Sequence, residues 1–557
     1  MINERVLKKI NISDEQAGGK KGSATVDHIV LAKEIILSAK MINQNADISL
    51  LDVTKAYDKA WLTGIMHVLY KEGLTDNHWT IVKKLNEDLT AKIQTKYGLT
   101  RMIQIRDSIR QGGVLSTTMY GSLMDQVSKE LKANDLGIPL YEKGDKKASL
   151  LWVDDVLLIS VEGKLQPSLD ITAKTSNTYH VEYGKAKSNT MVIKNNRKKN
   201  EEHAYEIGDM KLDQTNKYKY LGYMLNNKNN NEEQTKSIKG RTEAAYQNMM
   251  ALTGNSTFSQ IEMETIWTVM EACIIPTITY SGEAWHPSKK NLQETNQIMD
   301  NILKRILKLP KNGTPREALY METGLYDPEM IIKRNRINME ARIRNGENET
   351  MKQILTAQHP DSWIQQNKKI KEEMNITEEE MEKTQYEIKA ITKKQMKQAF
   401  RNRIITSGQT KSKMNYYYER RTTPWEPKKR TEYMNKLTRN QASTIFKART
   451  RMTKVKSNYK NGNTDMKCRL CGISEETQKH AFEECETINK TLEKVTEQMI
   501  FNEDTDELRT TANLIEKRMH LYEETGKLCH KESNKSRQRK QQNNHTAEDN
   551  TPAPRIT

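Results

Sequence analysis

The spacing of apolar side chains predicts alternating helices and strands in the first part of the chain. Apolar positions at helical spacing begin near Thr25, and they recur every fourth residue from Leu115 to Leu131. Short apolar runs bounded by polar residues predict strands. The expected order is a helix from 25, a strand at 47–53, a helix through 58–73, a helix from 115, strands at 148–153 and 156–160, a helix near 165–180 and a strand at 189–195. This alternation up to about residue 225 favours an α+β domain.

Beyond residue 225 the pattern changes to long polar helix formers. Residues 230–400 contain few Gly or Pro, and the stretch 368–397 is interpreted as a solvated helix or a loose coiled segment. From about residue 530 apolar residues almost disappear, which predicts disorder. No run of about eighteen apolar residues exists, and the N-terminus lacks the apolar core of a signal peptide. We therefore expect no transmembrane helix and an intracellular protein, in the nucleus or the cytoplasm.

Two adjacent acids, Asp154 and Asp155, stand between the apolar runs of a predicted hairpin, LLWVDDVLLIS (150–160). Paired carboxylates suit a hard divalent cation, which relieves their mutual repulsion. A third acid, Asp52, ends the apolar strand SLLD. If the three meet, two Mg²⁺ ions held there could activate an attacking hydroxyl and stabilise a leaving pyrophosphate. A simple polar β-turn is the alternative interpretation of the doublet.

Composition points to a polyanionic partner. The chain has 557 residues, enough for two to four domains. Its 90 Lys and Arg against 73 Asp and Glu give a net charge of +17. This balance favours nucleic acid before a membrane surface, with solubility by charge alone as the alternative.

A cluster of cysteines and a histidine predicts a metal site near the end of the chain. Its spacing is C-x2-C-x8-H-x4-C, given by Cys468, Cys471, His480 and Cys485. Four such ligands fill a tetrahedron, so we expect a structural Zn²⁺. Cys273 is predicted to lie in the core, and Cys529 has no evident partner.

Five segments, in order and at suitable spacing, resemble the reverse transcriptases of non-LTR (LINE-like) retrotransposons. They are LLDVTKAYDKAW (50–61) for motif A, SIRQGGVLSTTMYGSLMDQVSKEL (108–131) for motif B, the hairpin 150–160 for motif C, VEYGKAKSNTMVI (181–193) for motif D and YKYLGYML (218–225) for motif E. QAGGKKGSATVDHI (16–29) resembles the stretch before motif A, and 275–285 and 307–325 resemble the thumb and post-thumb region. The resemblance spans about residues 1–490. Trp152 and Thr117 depart from the residues common in the family.

The resemblance implies a right-hand polymerase palm with partial fingers, a helical thumb and post-thumb region and a small zinc motif. The expected domains are partial fingers (1–45), palm (46–225), thumb and post-thumb (226–340), a basic helical region (341–460), the CCHC zinc motif (461–490), and a C-terminal helix with a disordered basic tail (491–557). Members of the family carry a further fingers region ahead of QAGG. Because Met1 falls too late to include it, we expect weakened nucleotide binding.

The resemblance also assigns roles to residues around the acids. Asp52 and Asp154 would bind both metal ions, with Asp155 beside them and the Val53 carbonyl as a further ligand. Lys187 matches the motif D lysine that could protonate the leaving pyrophosphate, with Lys185 as the alternative. Asp58 is interpreted as a helix N-cap instead of a ligand.

Further roles concern the nucleotide and the primer. Tyr57 would be the steric gate that packs against the sugar and rejects ribonucleotides. Gln111 and Gly112, and also Gly113, would lie against the incoming nucleotide and the template base. The primer grip would comprise Tyr220, Leu221 and Gly222.

The function that the resemblance implies is RNA-directed DNA polymerase activity with two Mg²⁺ ions and one structural Zn²⁺. Its partners would be an RNA template, a DNA primer and deoxynucleoside triphosphates, and the basic, aromatic stretch 394–460 suits RNA. The alternative is a non-catalytic nucleic-acid-binding remnant. A group II intron-type maturase is a third possibility, which the CCHC position disfavours. We expect no endonuclease, RNase H or protease in this chain.

Overall fold

The computed structural model divides the described chain into two compact units. It describes residues 2–105, 107–142, 144–194, 203–252, 263–285, 288–421, 426, 429–458 and 465–545, with side chains as far as residue 525. The first unit comprises 1–240, 279–295 and 329–396, and the second comprises 241–278, 296–328 and 397–557.

The described strands all lie in the first unit, where they form one six-stranded sheet and four two-stranded sheets. They are β1 (Ala46–Asp52), β2 (Thr90–Ala91), β3 (Gln94–Thr95), β4 (Gly98–Leu99), β5 (Ile103–Gln104), β6 (Ile138–Pro139), β7 (Lys146–Lys147), β8 (Ser149–Trp152), β9 (Asp155–Val161), β10 (Asn189–Ile193), β11 (Tyr205–Ile207), β12 (Met210–Gln214), β13 (Lys217–Tyr220) and β14 (Tyr223–Asn226). The six-stranded sheet has the order β11-β12-β10-β1-β9-β8. β1 is antiparallel to both of its neighbours, β9 and β10.

Helices are the other main regular elements of the described chain. They are α1 (Ile2–Leu7), α2 (Thr25–Met41), α3 (Leu62–Lys71), α4 (Asn77–Asn86), α5 (Ser116–Ala133), α6 (Gln166–Thr178), α7 (Glu232–Leu252), α8 (Met263–Val269), α9 (Ile275–Thr279), α10 (Lys289–Ile306), α11 (Arg316–Thr323), α12 (Pro328–Arg344), α13 (Glu349–Gln353), α14 (Trp363–Glu373), α15 (Glu378–Met381), α16 (Gln385–Thr410), α17 (Ser412–Arg420), α18 (Tyr433–Lys436), α19 (Arg439–Arg449), α20 (Glu486–Asn489), α21 (Glu497–Ile500) and α22 (Thr505–His545). Single π-helical turns occur at Met270–Ile274 and His480–Glu484. None of the described helices is long and apolar enough to cross a membrane.

The central strand β1 (ADISLLD) is buried along six of its seven residues, including the polar Asp47 and Ser49. One face of the sheet packs against the apolar stripe of α5, whose Met119, Leu123 and Val127 join the same core as Leu51 of β1. α2 contacts β1 and β8 and is buried on nearly all sides. Only the last residue of β1, Asp52, becomes half-exposed. The buried strand β1 therefore ends in an acid that is partly accessible to solvent.

Burial of α2 requires partners for its charged residues. Lys33 donates hydrogen bonds to the Tyr223 hydroxyl (2.8 Å) and to Asn231 (3.2 Å). The Glu34 carboxylate accepts the Trp363 backbone N–H (3.0 Å) and the Tyr141 hydroxyl. Polar groups buried in this way remain tolerable because each has a partner.

The second unit is helical. Trp267 is fully buried, and its indole N–H donates to the Met434 carbonyl at 2.7 Å. α22 packs along α19 and also contacts α18 and α21.

The predicted helices from residues 25, 115 and 165 and the predicted strands of the sheet are confirmed, with bounds shifted by a few residues. The helix expected through 58–73 begins only at Leu62. Residue 195, the last of the predicted strand 189–195, lies outside the described residues, as do 461–464 of the expected zinc motif.

Three expectations outside the sheet are wrong. Residues 368–397 are not one solvated helix, because Asn375 adopts a left-handed φ of 51° between α14 and α15 and apolar side chains such as Met381 are buried. Cys273 is exposed, since the π-helical turn directs Met270 and Ile274 into the core instead. The stretch 530–545 of the expected disordered tail continues α22 as a helix, in keeping with the helix propensity of its Lys, Arg, Gln and Glu, and residues 546–557 lie outside the described residues.

Candidate active site and Cys/His cluster

The register of the sheet brings the predicted acids together. Asp52, the last residue of β1, lies directly opposite Asp155, the first residue of β9. Asp155 is also paired with Trp152 across the β8–β9 hairpin, whose two-residue turn is Val153 and Asp154. The strand register therefore brings three acids, from segments about one hundred positions apart in the chain, to the same end of the paired strands β1 and β9. The Asp52 side chain is 35% exposed and Asp155 is exposed, so both are accessible to a ligand.

The carboxylates perturb one another. Desolvation, and then the charges of Asp154 and Asp52, raise the pKa of Asp155 to about 6. Desolvation and the charge of Asp52 also raise the pKa of Asp154. Clustered acids of this kind hold protons more tightly than isolated ones, and a bound cation would relieve the repulsion. Carboxylate oxygens are the type of ligand that Mg²⁺ prefers.

The segment that resembles motif D holds Asp52 in place. The Gly184 N–H donates to the Asp52 carbonyl at 2.8 Å, and the Asp52 N–H donates to Ser188 Oγ at 3.1 Å. Lys187 Nζ lies 3.6 Å from Asp52 Oδ1. The predicted lysine is thus beside the acids, and Ser188 is a supporting residue to which sequence reasoning gave no role.

Tyr57 lies between the acids and α5. Its ring stacks on Tyr120, with 5.7 Å between ring centroids and 22° between planes. Desolvation and the charge of Asp154 raise the pKa of the Tyr57 hydroxyl, so this side chain is within electrostatic reach of the hairpin tip. Its backbone carbonyl accepts the Ile109 N–H at 3.0 Å, which joins the loop after β1 to the segment that precedes α5.

Gln111 and Gly112 occupy an exposed turn before α5. Gln111 Nε2 donates to Asp58 Oδ1 at 3.1 Å. Asp58 is therefore not the N-cap of α3, a position taken by Trp61, and the prediction of a cap is wrong because the helix begins later than expected. Gly112 has a φ of 79°, a conformation that glycine adopts without strain.

The predicted primer grip is the β13–β14 hairpin. Leu221 and Gly222 form its turn, with φ values of 44° and 80°. Tyr220 is only 3% exposed, and its hydroxyl lies 3.4 Å from His28 Nδ1, so its side chain anchors the turn from within. The Tyr280 hydroxyl donates to the Leu221 carbonyl at 2.8 Å from outside the hairpin. The Leu221–Gly222 turn is half-buried, whereas Lys217 and Lys219 of β13 are exposed.

The Cys/His cluster is assembled in the second unit. The ligand atoms of Cys468, Cys471, His480 and Cys485 all lie within 4.8 Å of one another. Cys468 Sγ is 3.9 Å from Cys485 Sγ, and Cys471 Sγ is 3.4 Å from His480 Nε2. A tetrahedral Zn²⁺ with Zn–S bonds of about 2.3 Å sets neighbouring sulfurs about 3.8 Å apart, so the spacing fits.

The cysteines are electrostatically distinct. Burial raises the pKa of the Cys468 thiol. Burial also acts on Cys471, but the backbone N–H groups of Ile473 and Ser474 outweigh it and lower the pKa of that thiol to about 6. A thiolate at Cys471 is the form that binds metal.

α22 supplies residues around this cluster that the sequence pattern did not reveal. The Tyr522 hydroxyl lies 3.6 Å from Cys468 Sγ. Arg518, fully buried, donates to the carbonyls of Ala481 (3.1 Å) and Leu492 (3.2 Å). Nothing in the local sequence marks these positions, because they reach the cluster only through helix packing.

Part of the chain matches a known protein family. Residues 1–225 match the family described as reverse transcriptase (RNA-dependent DNA polymerase). This part of the chain is a reverse transcriptase domain.

The homologues of the chain are polymerases of transposons and R2 retrotransposons. A probable RNA-directed DNA polymerase from transposon BS of Drosophila melanogaster is 21% identical over 369 residues, which are 64% of this chain and 39% of that protein. A Pol polyprotein from the type-1 retrotransposable element R2 of Popillia japonica is 25% identical over 173 residues, 30% of this chain and 24% of the relative. The chain thus spans about two fifths or less of the length of these relatives.

Among solved structures, a telomerase from Candida albicans in complex with a fragment of telomeric RNA matches with 12% identity and a TM-score of 0.30, over 52% of each chain. A score of this size adds nothing to the assignment.

Proposed function

We propose that this chain is an RNA-directed DNA polymerase that uses Asp52, Asp154 and Asp155 to bind two Mg²⁺ ions. One observation carries the proposal: in the antiparallel register of β1 and β9, Asp52 faces Asp155 at the hairpin that also presents Asp154. Bound Mg²⁺ would supply Lewis-acid stabilisation of the phosphoryl charge. The substrates would be deoxynucleoside triphosphates, with an RNA template and a DNA primer.

The side chains around the acids have separate tasks in this proposal. Lys187, next to Asp52, delivers a proton to the leaving pyrophosphate. Tyr57, fixed by stacking on Tyr120, lies against the sugar of the nucleotide and excludes a 2′-hydroxyl by its bulk. Gln111, tied to Asp58, contacts the nucleotide or the template base. The Leu221–Gly222 turn holds the primer end.

The wider architecture follows from the same proposal. We assign partial fingers to 1–45, the palm to 46–225, thumb and post-thumb to 226–340, a basic helical region to 341–460, the zinc motif to 461–490 and the C-terminal helix with its tail to 491–557. The Cys/His cluster would hold a structural Zn²⁺, since its four protein ligands leave no position for a substrate. The charge of +17 supports binding to the phosphates of template and primer.

Primer extension tests this proposal. Purified protein is incubated with poly(A), an oligo(dT) primer, dTTP and Mg²⁺ or Mn²⁺, and product length is measured. We expect extension by the parent and none above background for Asp154→Asn, while the exposed acid variant Asp170→Asn extends as the parent does.

Lack of extension by the parent, together with retained binding of the poly(A)–oligo(dT) duplex, would refute the polymerase and leave a nucleic-acid-binding remnant. Equal extension by the parent and Asp154→Asn would show that the acids do not form the active site.

A further inference from the structure

A short strap, residues 13–19, lies along the edge strand of the sheet next to the acidic hairpin. The Leu151 N–H donates to the Glu15 carbonyl at 2.8 Å, and the Ala17 N–H donates to the Leu151 carbonyl at 3.1 Å. These bonds make Gln16 and Leu151 a parallel bridge. The main chain of the strap is therefore fixed beside β8, two residues before the turn that carries Asp154.

The side chain of Gln16 clamps that turn. It is fully buried, and its Oε1 accepts the N–H groups of Val153 (2.9 Å) and Gly18 (3.1 Å). Its Nε2 donates to the Val153 carbonyl at 3.2 Å. Both backbone polar groups of Val153 are thus paired with one carboxamide, 137 positions away in sequence. A Cβ on Gly18 would lie 2.5 Å from the Val153 nitrogen, so this close approach requires a glycine.

Val153 needs such a clamp because of its backbone conformation. Its φ is 59°, in the left-handed region that a β-branched residue disfavours. The conformation sets the direction in which the next two residues, Asp154 and Asp155, leave the turn. Without the clamp, relaxation of Val153 toward negative φ would rotate both carboxylates away from Asp52.

We propose that Gln16 is a positioning residue that fixes Asp154 and Asp155 for metal binding by holding Val153 in the left-handed conformation. The inference rests on the proposed function only in that these acids bind a divalent cation. Gln16 acts through the Val153 backbone and touches no reacting atom. Gln16 resembles residues that orient metal ligands through hydrogen bonds without touching the metal. Loss of such a residue typically weakens metal binding by about 10- to 100-fold.

A Mn²⁺-binding assay tests the proposal without relying on polymerase activity. The protein is first loaded with zinc, and the electron paramagnetic resonance signal of the free Mn²⁺ ion then measures binding. Gln16→Met keeps the side-chain volume and removes the three hydrogen bonds, and we expect it to weaken Mn²⁺ binding about 10- to 100-fold. Gln234→Met is the matched control. Gln234 is equally buried, but it accepts the Met224 N–H at 2.9 Å and donates to Ser281 Oγ at 3.3 Å, not to the acidic hairpin, so the Mn²⁺ affinity of Gln234→Met should stay that of the parent.

A second substitution separates positioning from general disruption. Glycine adopts a positive φ without strain, so Gln16→Met/Val153→Gly should recover most of the Mn²⁺ affinity that Gln16→Met loses. If Gln16→Met does not fold, as judged by circular dichroism, Gln16→Asn replaces it, since the shorter amide cannot reach both groups of Val153.

Parent-like Mn²⁺ affinity of Gln16→Met, or a loss that Val153→Gly does not restore, would overturn the proposal. If Asp154→Ala also bound Mn²⁺ as the parent does, the acidic metal site itself would fall, and this outcome is distinct from a failure of Gln16 alone.

Discussion

Metal binding at the three acids should weaken steeply as the pH falls toward 5, because Asp155 has a raised pKa of about 6. A carboxylate must lose its proton before it binds a cation, so protons and metal compete for the site. The experiment therefore varies the pH of the parent protein, with its Cys/His cluster already loaded with Zn²⁺, and measures the affinity of the acids for Mn²⁺.

The size of the effect follows from the pKa. Competition by one proton divides the apparent affinity by 1 + 10^(pKa − pH), which for a pKa of about 6 is about 1.0 at pH 7.5, about 2 at pH 6 and about 11 at pH 5. An aspartate with an ordinary pKa of about 3.9 would lose only about a tenth of its affinity at pH 5. Because the pKa of Asp154 is also raised, the elevenfold loss is a lower bound.

Mn²⁺ titrations at a series of pH values measure this loss, and two variants fix its cause. Asp154→Asn removes the charge that contributes more to the raised pKa of Asp155, so the pKa of Asp155 in the metal-free variant, followed by NMR of its carboxyl carbon, should fall below that of the parent. Lys187→Met removes a cation that lowers the pKa of Asp155, so that pKa should move up. An affinity that changes less than about twofold between pH 7.5 and pH 5, or shifts of the same sign in both variants, would refute the electrostatic coupling of the acids.

Two further predictions concern the Cys/His cluster and the β13–β14 turn. Tyr522→Phe removes the hydroxyl beside Cys468 and should weaken Zn²⁺ binding about tenfold without changing its stoichiometry. Competition with a chromogenic chelator measures the affinity, and Tyr386→Phe, at an exposed position, is the control. Equal Zn²⁺ affinities of Tyr522→Phe and the parent would contradict the role of the hydroxyl. Gly222→Ala places a Cβ 2.9 Å from the Tyr280 ring at a φ of 80°. The free energy of unfolding, measured in urea, should fall by about 1–3 kcal/mol. Gly240→Ala is the control, because that glycine is helical and has no neighbouring atom within 4 Å, and it should not destabilise the protein.

The sequence carried the local structure and the chemistry of the site. Apolar spacing identified α2, α5 and the buried strands because the periods of helices and strands differ and each element must bury one side. An acidic doublet between two β-forming runs specified a hairpin, and its likeness to motif C pointed to its chemistry. The spacing of Cys468, Cys471, His480 and Cys485 specified their cluster because all four residues lie within eighteen positions of the chain.

Some predictions from the sequence were wrong or missing. In each case the position of the residue depended on a neighbour far along the chain or on a small change in a helix. Cys273 sits in an apolar stretch yet points outward, because a single π-helical turn changes which residues face the core. Asp58 serves Gln111 instead of a helix N-terminus, because α3 begins later than its pattern indicated. Gln16 and Tyr522 had no local signal at all.

The sequence by itself therefore determined which residues could bind metal and which elements would carry them, since propensity and periodicity act over a few residues. Only the tertiary structure decided that Asp52 faces Asp155, that Gln16 clamps Val153 and that Tyr522 reaches Cys468. Each of these contacts joins residues at least fifty positions apart. Their geometry depends on helix packing and on strand register, and a register shift of one residue would turn every side chain of a strand to the opposite face of the sheet.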